Sequence, residues 1–150
     1  MFIKLSDKHI LEVDAQSYQE ALSLAMEQAH HLYPEYPFDE ISVQLLERES
    51  DFPTILAHGI AAPHLHSTAL SKPVCLIVKL QAEIDLKTYD GYPIRLLFVL
   101  ISPENEPEMH LRLLAEIAKI ASNEDVVKNL METHSKEKFV EIIRNDKTAP

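Results

Sequence analysis

Ile94-Arg95-Leu96-Leu97-Phe98-Val99-Leu100-Ile101 is an almost unbroken apolar run of strand length. A strand that reads as continuously hydrophobic, instead of alternating with polar residues, belongs in a sheet covered on both faces. A second run, Val74-Cys75-Leu76-Ile77-Val78-Lys79-Leu80, has the same length and β-branched content, and Tyr89-Asp90-Gly91-Tyr92-Pro93 supplies a turn ahead of the first. The covers must be helices. The reading is an α/β fold with a mixed central sheet of about five strands flanked by helices on both faces, in one domain over residues 1–150.

The rest of the chain supplies those helices. Ser17-Tyr18-Gln19-Glu20 has the form of a capping box, Tyr18, Leu22, Ala25, Ala29 and Leu32 follow at helical spacing, and Pro34 ends the run. Asp39 can cap a second helix whose apolar residues are Ile41, Leu45 and Leu46, ending around Arg48-Glu49 before a loop through Ser50-Asp51-Phe52-Pro53. Past Ser102-Pro103 a third helix begins, where Asn105 can cap and Pro107 is tolerated in the first turn; Leu111, Leu114, Ala115, Ala118 and Ala121 read as its buried stripe. Two more amphipathic helices follow Asn123 and Ser135, carrying Val126, Val127 and Leu130, then Phe139, Ile142 and Ile143. Residues 1–13 suit a short strand and docking segment, and residues 145–150 a frayed tail.

Residues 54–62 read as a strand, or paired short strands, interrupted at Gly59. Proline fixes its own φ and pushes the preceding residue toward extended geometry, so Ala62-Pro63 reads as a strand end with His64 leading into a loop. The chain has only two glycines, Gly59 and Gly91. Phosphate-cradling loops of the Walker or dinucleotide type need several clustered glycines, which excludes the nucleotide hydrolysis and redox chemistry built on them.

A formal net charge of −10 lacks the basic footprint of nucleic-acid or anionic-membrane binding. The single cysteine, Cys75, makes no internal disulfide and reads as a small core residue. No apolar run approaches the ~20 residues that span a bilayer, and no charged segment followed by an apolar one opens the chain. The expectation is a cytoplasmic protein that does not itself span a membrane and does not bind nucleic acid.

Histidine is the side chain poised near neutrality, suited to proton transfer, metal ligation or attack on phosphorus. His58, His64 and His66 lie within nine positions, which raises a zinc or iron site, but no cysteine or carboxylate in that segment completes a ligand set. Taken alone, His64 reads as an ordinary loop histidine and His110 as an ordinary residue near a helix start. Together, a histidine after a strand and another near a helix N-terminus can converge on one anion, and phosphoryl is the natural one. Arg48 reads either as a solvated helix end with intrahelical pairs or as a bidentate phosphate fork.

Leu45-Leu46-Glu47-Arg48-Glu49, Thr54, Gly59-Ile60-Ala61-Ala62-Pro63-His64, Asp90-Gly91-Tyr92-Pro93-Ile94 and His110-Leu111-Arg112-Leu113-Leu114-Ala115 occur in that order. The set resembles the enzyme IIA domain of the phosphoenolpyruvate-dependent phosphotransferase system, in its fructose/mannitol and nitrogen-regulatory branch. The resemblance implies a phosphocarrier in which His64 takes the phosphoryl group, with Arg48 and His110 beside it and with no metal or organic cofactor. It implies HPr, or a nitrogen-branch relative, as donor and a IIB domain as acceptor. The alternative is a purely regulatory domain whose phosphorylation state governs binding to a kinase or transporter. Leu65-His66 departs from the small residue that many relatives carry after the motif histidine.

Overall fold

A computed structural model of the chain describes residues 3–145; most of the expected tail, 146–150, lies outside the described residues. A short 3-10 turn over Asp7–His9 leads into β1 (Ile10–Val13), followed by α1 (Tyr18–Leu32), α2 (Phe38–Asp51), β2 (Ile60–Ala61) and β3 (His64–Ser67). Then come β4 (Val74–Ile84), β5 (Ile94–Pro103), α3 (Pro107–Ser122), α4 (Glu124–Glu132) and α5 (Lys136–Arg144).

The long apolar run is β5, and the sheet is assembled around it. β4 pairs with it antiparallel and β1 lies parallel on β4's far side, while β2 and β3 both run parallel along β5's other edge. Ala61 stands opposite Leu97 and His64 opposite Leu100, so β2 and β3 keep one register and are two halves of a single strand interrupted at Ala62-Pro63. A proline, having no N–H, is tolerated on such a strand because its carbonyl still serves the ladder; Leu100 N donates to Pro63 O at 2.9 Å. His64 therefore opens a strand instead of leading into a loop, which corrects the sequence expectation.

Alternate residues of β5 enter two separate cores. Leu97, Val99 and Ile101 pack with Leu22, Ala25, Ile41 and Leu45 of α1 and α2, while Leu96, Phe98 and Leu100 pack with Leu113, Ile117, Leu130 and Phe139 of α3 to α5. Each fully buried aliphatic or aromatic side chain contributes about 1.5–3 kcal/mol, which is why this strand carries so little polar residue. The α/β class, the mixed five-stranded sheet and helices on both faces are as the sequence indicated.

Helix boundaries differ in instructive ways. Ser17 caps α1 by accepting from Glu20 N, but the Glu20 carboxylate accepts from Gln16 N and not from Ser17 N, closing the motif one residue early. α2 begins at Phe38 with Pro37 at the cap and no side-chain cap bond, so Asp39 lies in the first turn, where a carboxylate suits the dipole. The buried Phe38 ring anchors that extra residue, and the helix runs on through Ser50 to Asp51, beyond the expected end at Arg48-Glu49. In α3 the cap position is Glu106, not Asn105, and the buried stripe is His110, Leu113, Ile117, Ile120 and Ala121. Leu111 is 66% exposed, because the bulky Leu113, Ile117 and Ile120 bury more apolar area than the alanine-rich face. Asn123 and Ser135 cap α4 and α5 as expected.

Gly59 forms the tip of a hairpin that leads into β2. Leu56 N donates to Ile60 O and Ala62 N to Thr54 O, with His58 and Gly59 in the turn at φ 56 and 80. A Cβ on Gly59 would sit 2.6 Å from Pro93 O, whereas one on Gly91, also at positive φ, meets nothing. Gly59→Ala is expected to cost about 2 kcal/mol or more and Gly91→Ala about 1 kcal/mol. Urea midpoints at unchanged m-value measure both.

Candidate functional site

The interruption at Ala62-Pro63 sets the geometry of His64. Ala62 N–H and C=O face away from β5; the N–H is bonded to Thr54 O, and the carbonyl oxygen lies 2.9 Å from His64 Nδ1. A carbonyl only accepts, so Nδ1 carries the proton. Nε2 lies 3.0 Å from Arg48 Nη2, and a guanidinium only donates, so Nε2 presents its lone pair. Two independent partners thus specify the same tautomer of a half-buried imidazole.

Arg48 stands on the last full turn of α2, its side chain 51% exposed, and its neighbour Glu49 is fully buried. Glu49 continues the Ile41, Leu45 stripe at helical spacing, which turns its carboxylate inward. There it accepts from Tyr18 Oη at 2.8 Å, from Thr54 N at 2.9 Å and from Thr54 Oγ1 at 2.8 Å. Burial, followed by the Glu49 charge and hydrogen bond, pushes the Tyr18 phenol far above its ordinary range. Arg48 Nε lies 3.9 Å from Glu49 Oε2, so α1, α2 and the segment before β2 are tied together at the residue beside the guanidinium.

His110 occupies the first turn of α3 and is only 2% exposed. Its Nδ1 lies 2.7 Å from Ser102 Oγ of β5, and its Nε2 is buried without a partner among the described residues. Burial first, then the neighbouring His66, His64 and Arg48, pushes its pKa down to about 4, so the ring is neutral at pH 7. Its centroid is 5.3 Å from that of His64 and 3.9 Å from that of His66.

The structure thus brings His64, Arg48 and His110 together from β3, α2 and α3, and adds His66. His58 lies elsewhere: its Nδ1 is 2.7 Å from Ala121 O, its N–H donates to Asp90, and its ring meets Tyr92 edge-on. Among the described residues no group of three or more His, Cys, Asp or Glu side chains is arranged to hold a metal ion. Cys75 is buried in β4, its thiol pushed up to about 12 by desolvation. The acidic residues at 104, 106 and 108 are exposed. Glu49, Ser102 and His66 were not assigned roles from sequence, although the first continues a helical stripe and the last shares a strand face with His64 at a spacing of two.

The site is an open one at the sheet edge, where an imidazole whose Nε2 lone pair accepts from a guanidinium stands beside a buried neutral histidine. Residues 4–146 match the family described as phosphoenolpyruvate-dependent sugar phosphotransferase system, EIIA 2, and the chain belongs to that family. It is 34% identical to the nitrogen regulatory protein of Pseudomonas aeruginosa over 110 residues, 73% of this chain and 71% of that one. The fold is also that of the nitrogen regulatory protein IIA-Ntr of Neisseria meningitidis, with a TM-score of 0.83 at 24% identity over 92% of this chain and 94% of that one. A complex of enzyme IIA mannitol with phosphorylated enzyme IIB mannitol from Escherichia coli contains the same fold, at a TM-score of 0.76 and 22% identity over 95% of this chain and 99% of that one. Among the described residues no helix is long and apolar enough to cross a membrane.

Proposed function

We propose that the chain is a cytoplasmic phosphohistidine carrier, acting as one domain over its 150 residues, in which His64 Nε2 accepts a phosphoryl group from phosphorylated HPr or a nitrogen-branch equivalent. The observation that carries this reading is the double fixing of the ring, Nδ1–H on Ala62 O and the Nε2 lone pair toward Arg48. An imidazole so held attacks phosphorus without first losing a proton, and it is also a good leaving group.

In the transfer, the P–N bond of the donor's phosphohistidine breaks, its electron pair returns to the donor ring, and a new P–N bond forms at His64 Nε2. The proton on Nδ1 stays in place, and the Ala62 carbonyl stabilises the positive charge that the ring gains. Charge in such a transition state is spread over the equatorial oxygens. Arg48, half exposed, gives up its bond to Nε2 and turns to those oxygens, and His110 Nε2–H supplies a second donor from the protein side. Onward transfer runs the same steps in reverse to a IIB domain. The open setting, with Phe52 exposed just past α2 and Leu111 exposed on α3 of an otherwise acidic protein, suits a phosphoryl group delivered by another protein.

The second reading is that phosphorylation of His64 serves as a regulatory signal to a kinase or transporter, with no sugar phosphorylated downstream; the likeness to nitrogen regulatory proteins favours it. Both readings are tested by incubation with phosphoenolpyruvate, enzyme I and HPr. One acid-labile phosphoryl group mapping to His64 is expected, and a phosphate on any other residue overturns both. Supply of a IIB protein separates them, since only the carrier discharges to it.

Arg48→Ala is expected to slow phosphoryl gain and loss about 100-fold, the scale of removing one transition-state donor, with little change in melting temperature because the side chain is half exposed. Rapid-quench transfer rates alongside thermal unfolding check this. Arg48→Lys is expected to recover only part of the rate, since a point charge does not reproduce the guanidinium fork.

A further inference from the structure

His66 has no part in the transfer described above, and its placement gives it one that rests on that reading. It stands two residues beyond His64 on β3, on the same strand face, in register opposite Ser102. Ser102 Oγ holds Nδ1 of His110 at 2.7 Å, and the exposed His66 ring lies against the His110 ring with centroids 3.9 Å apart and planes tilted by 40°. Between those two neighbours the His110 Nε2 is out of contact with solvent and has no hydrogen-bond partner. A buried, unpaired polar atom is costly unless a partner comes to it, and at this position the partner is a phosphoryl oxygen on His64.

We infer that His66 is a positioning residue of the phosphoryl site, a cover whose ring keeps water off His110 so that the buried Nε2–H is reserved for the arriving phosphoryl oxygen. The chemistry is consistent with a neutral donor. With the Ser102 hydroxyl donating to Nδ1, the single ring proton of His110 sits on Nε2, where the transfer needs it. The charged or titratable groups that act on His110 are His64 and His66 of β3 and Arg48 of α2, and all of them, like burial itself, oppose its protonation. Without the cover, water would reach the ring and it would charge at a higher pH. An imidazolium would then hold the phosphoryl dianion as an ion pair and retard its release. The cover therefore favours hand-over above retention.

The experiment is a histidine-ring NMR titration of the unphosphorylated protein in wild type, His66→Ala and His66→Phe, with rates of phosphoryl transfer back to HPr measured on the phosphorylated form of the same samples. In wild type His110 is expected to titrate near pH 4, held down by burial and its basic neighbours. In His66→Ala its midpoint is expected above about pH 5, toward the ordinary histidine value, and in His66→Phe, which keeps a flat ring over it, the rise is much smaller. Transfer is expected to fall about tenfold in the alanine variant and less than about threefold in the phenylalanine one. No rise in His66→Ala overturns the proposal. An equal rise in both variants also overturns it, by assigning the effect to the lost charge of His66. A raised midpoint with unchanged transfer overturns the positioning role. The titration needs no phosphodonor, so failure of wild-type protein to take up phosphoryl would strike the carrier reading while the titration still decides whether His66 covers His110.

Discussion

His64→Ala is expected to remove phosphoryl uptake altogether, to below about 1% of wild type, because among the described residues no other histidine has Nδ1 held by a main-chain carbonyl and its Nε2 lone pair turned to a guanidinium. His110 is buried with its Nδ1 committed to Ser102, and among the described residues His66 has no partner that fixes its tautomer as Ala62 and Arg48 fix that of His64. The fold should survive. The half-buried imidazole contributes one hydrogen bond to a carbonyl, and its loss costs about 0.5–1.5 kcal/mol. Mass spectrometry after incubation with the phosphodonor chain, next to circular dichroism of the same preparation, makes the comparison. Substantial phosphate on the variant would remove His64 from the proposed role. His64→Gln is the control for folding, since an amide can still donate to Ala62 O but cannot carry a phosphoryl group.

The largest effect on stability is expected from Glu49→Ala. The carboxylate has no exposed surface and takes three hydrogen bonds, from the Tyr18 hydroxyl and from the main chain and side chain of Thr54. Its removal strands those donors between α1, α2 and the segment before β2, at roughly 1–3 kcal/mol for each buried group left unpaired, so a total loss of about 3–5 kcal/mol is expected. Glu49→Gln keeps the shape and one accepting oxygen and should recover about half of that loss. Denaturant unfolding gives both numbers. Because Arg48 is the adjacent residue, transfer measured well below the melting point should also fall, by about tenfold, and with it the distinction between a stability residue and a transfer residue becomes one of temperature. A midpoint for Glu49→Ala within about 1 kcal/mol of wild type would mean that solvent reaches those donors.

How much of this was legible in the sequence depends on which interactions carry each feature. β5 was legible because burial on both faces leaves its mark on nearly every one of residues 94–101. The residues His64, Arg48 and His110 were legible as a set only through motif resemblance, since the contacts between them join three elements far apart in the chain. The Arg48-Glu49 pair reads as a solvated helix end, although the place of Glu49 on the Ile41, Leu45 stripe carries the opposite information; a charged residue on an apolar stripe signals a buried partner, here Tyr18 and Thr54. A proline ordinarily reads as a strand end, which puts His64 in a loop, and the sequence does not reveal that β5 offers an edge on which a proline can sit. In α3 the alanine spacing competed with the Leu113, Ile117 and Ile120 spacing, and bulk decided.

The acceptor for His64 Nδ1 is a main-chain atom, and this has a consequence for how such a protein can diverge. No substitution at position 62 deletes a peptide carbonyl, so the protonation pattern of the proposed nucleophile is inherited with the path of the backbone and not with any side chain. The surrounding rim, including Leu65, Phe52 and Leu111, is free to be rewritten for new partners while the proposed reacting nitrogen stays the same. The vulnerable position is then Pro63. A residue there that lets the chain swing the Ala62 carbonyl away would release the ring to its other tautomer, and a lineage could lose its chemistry through a change that alters no reacting group.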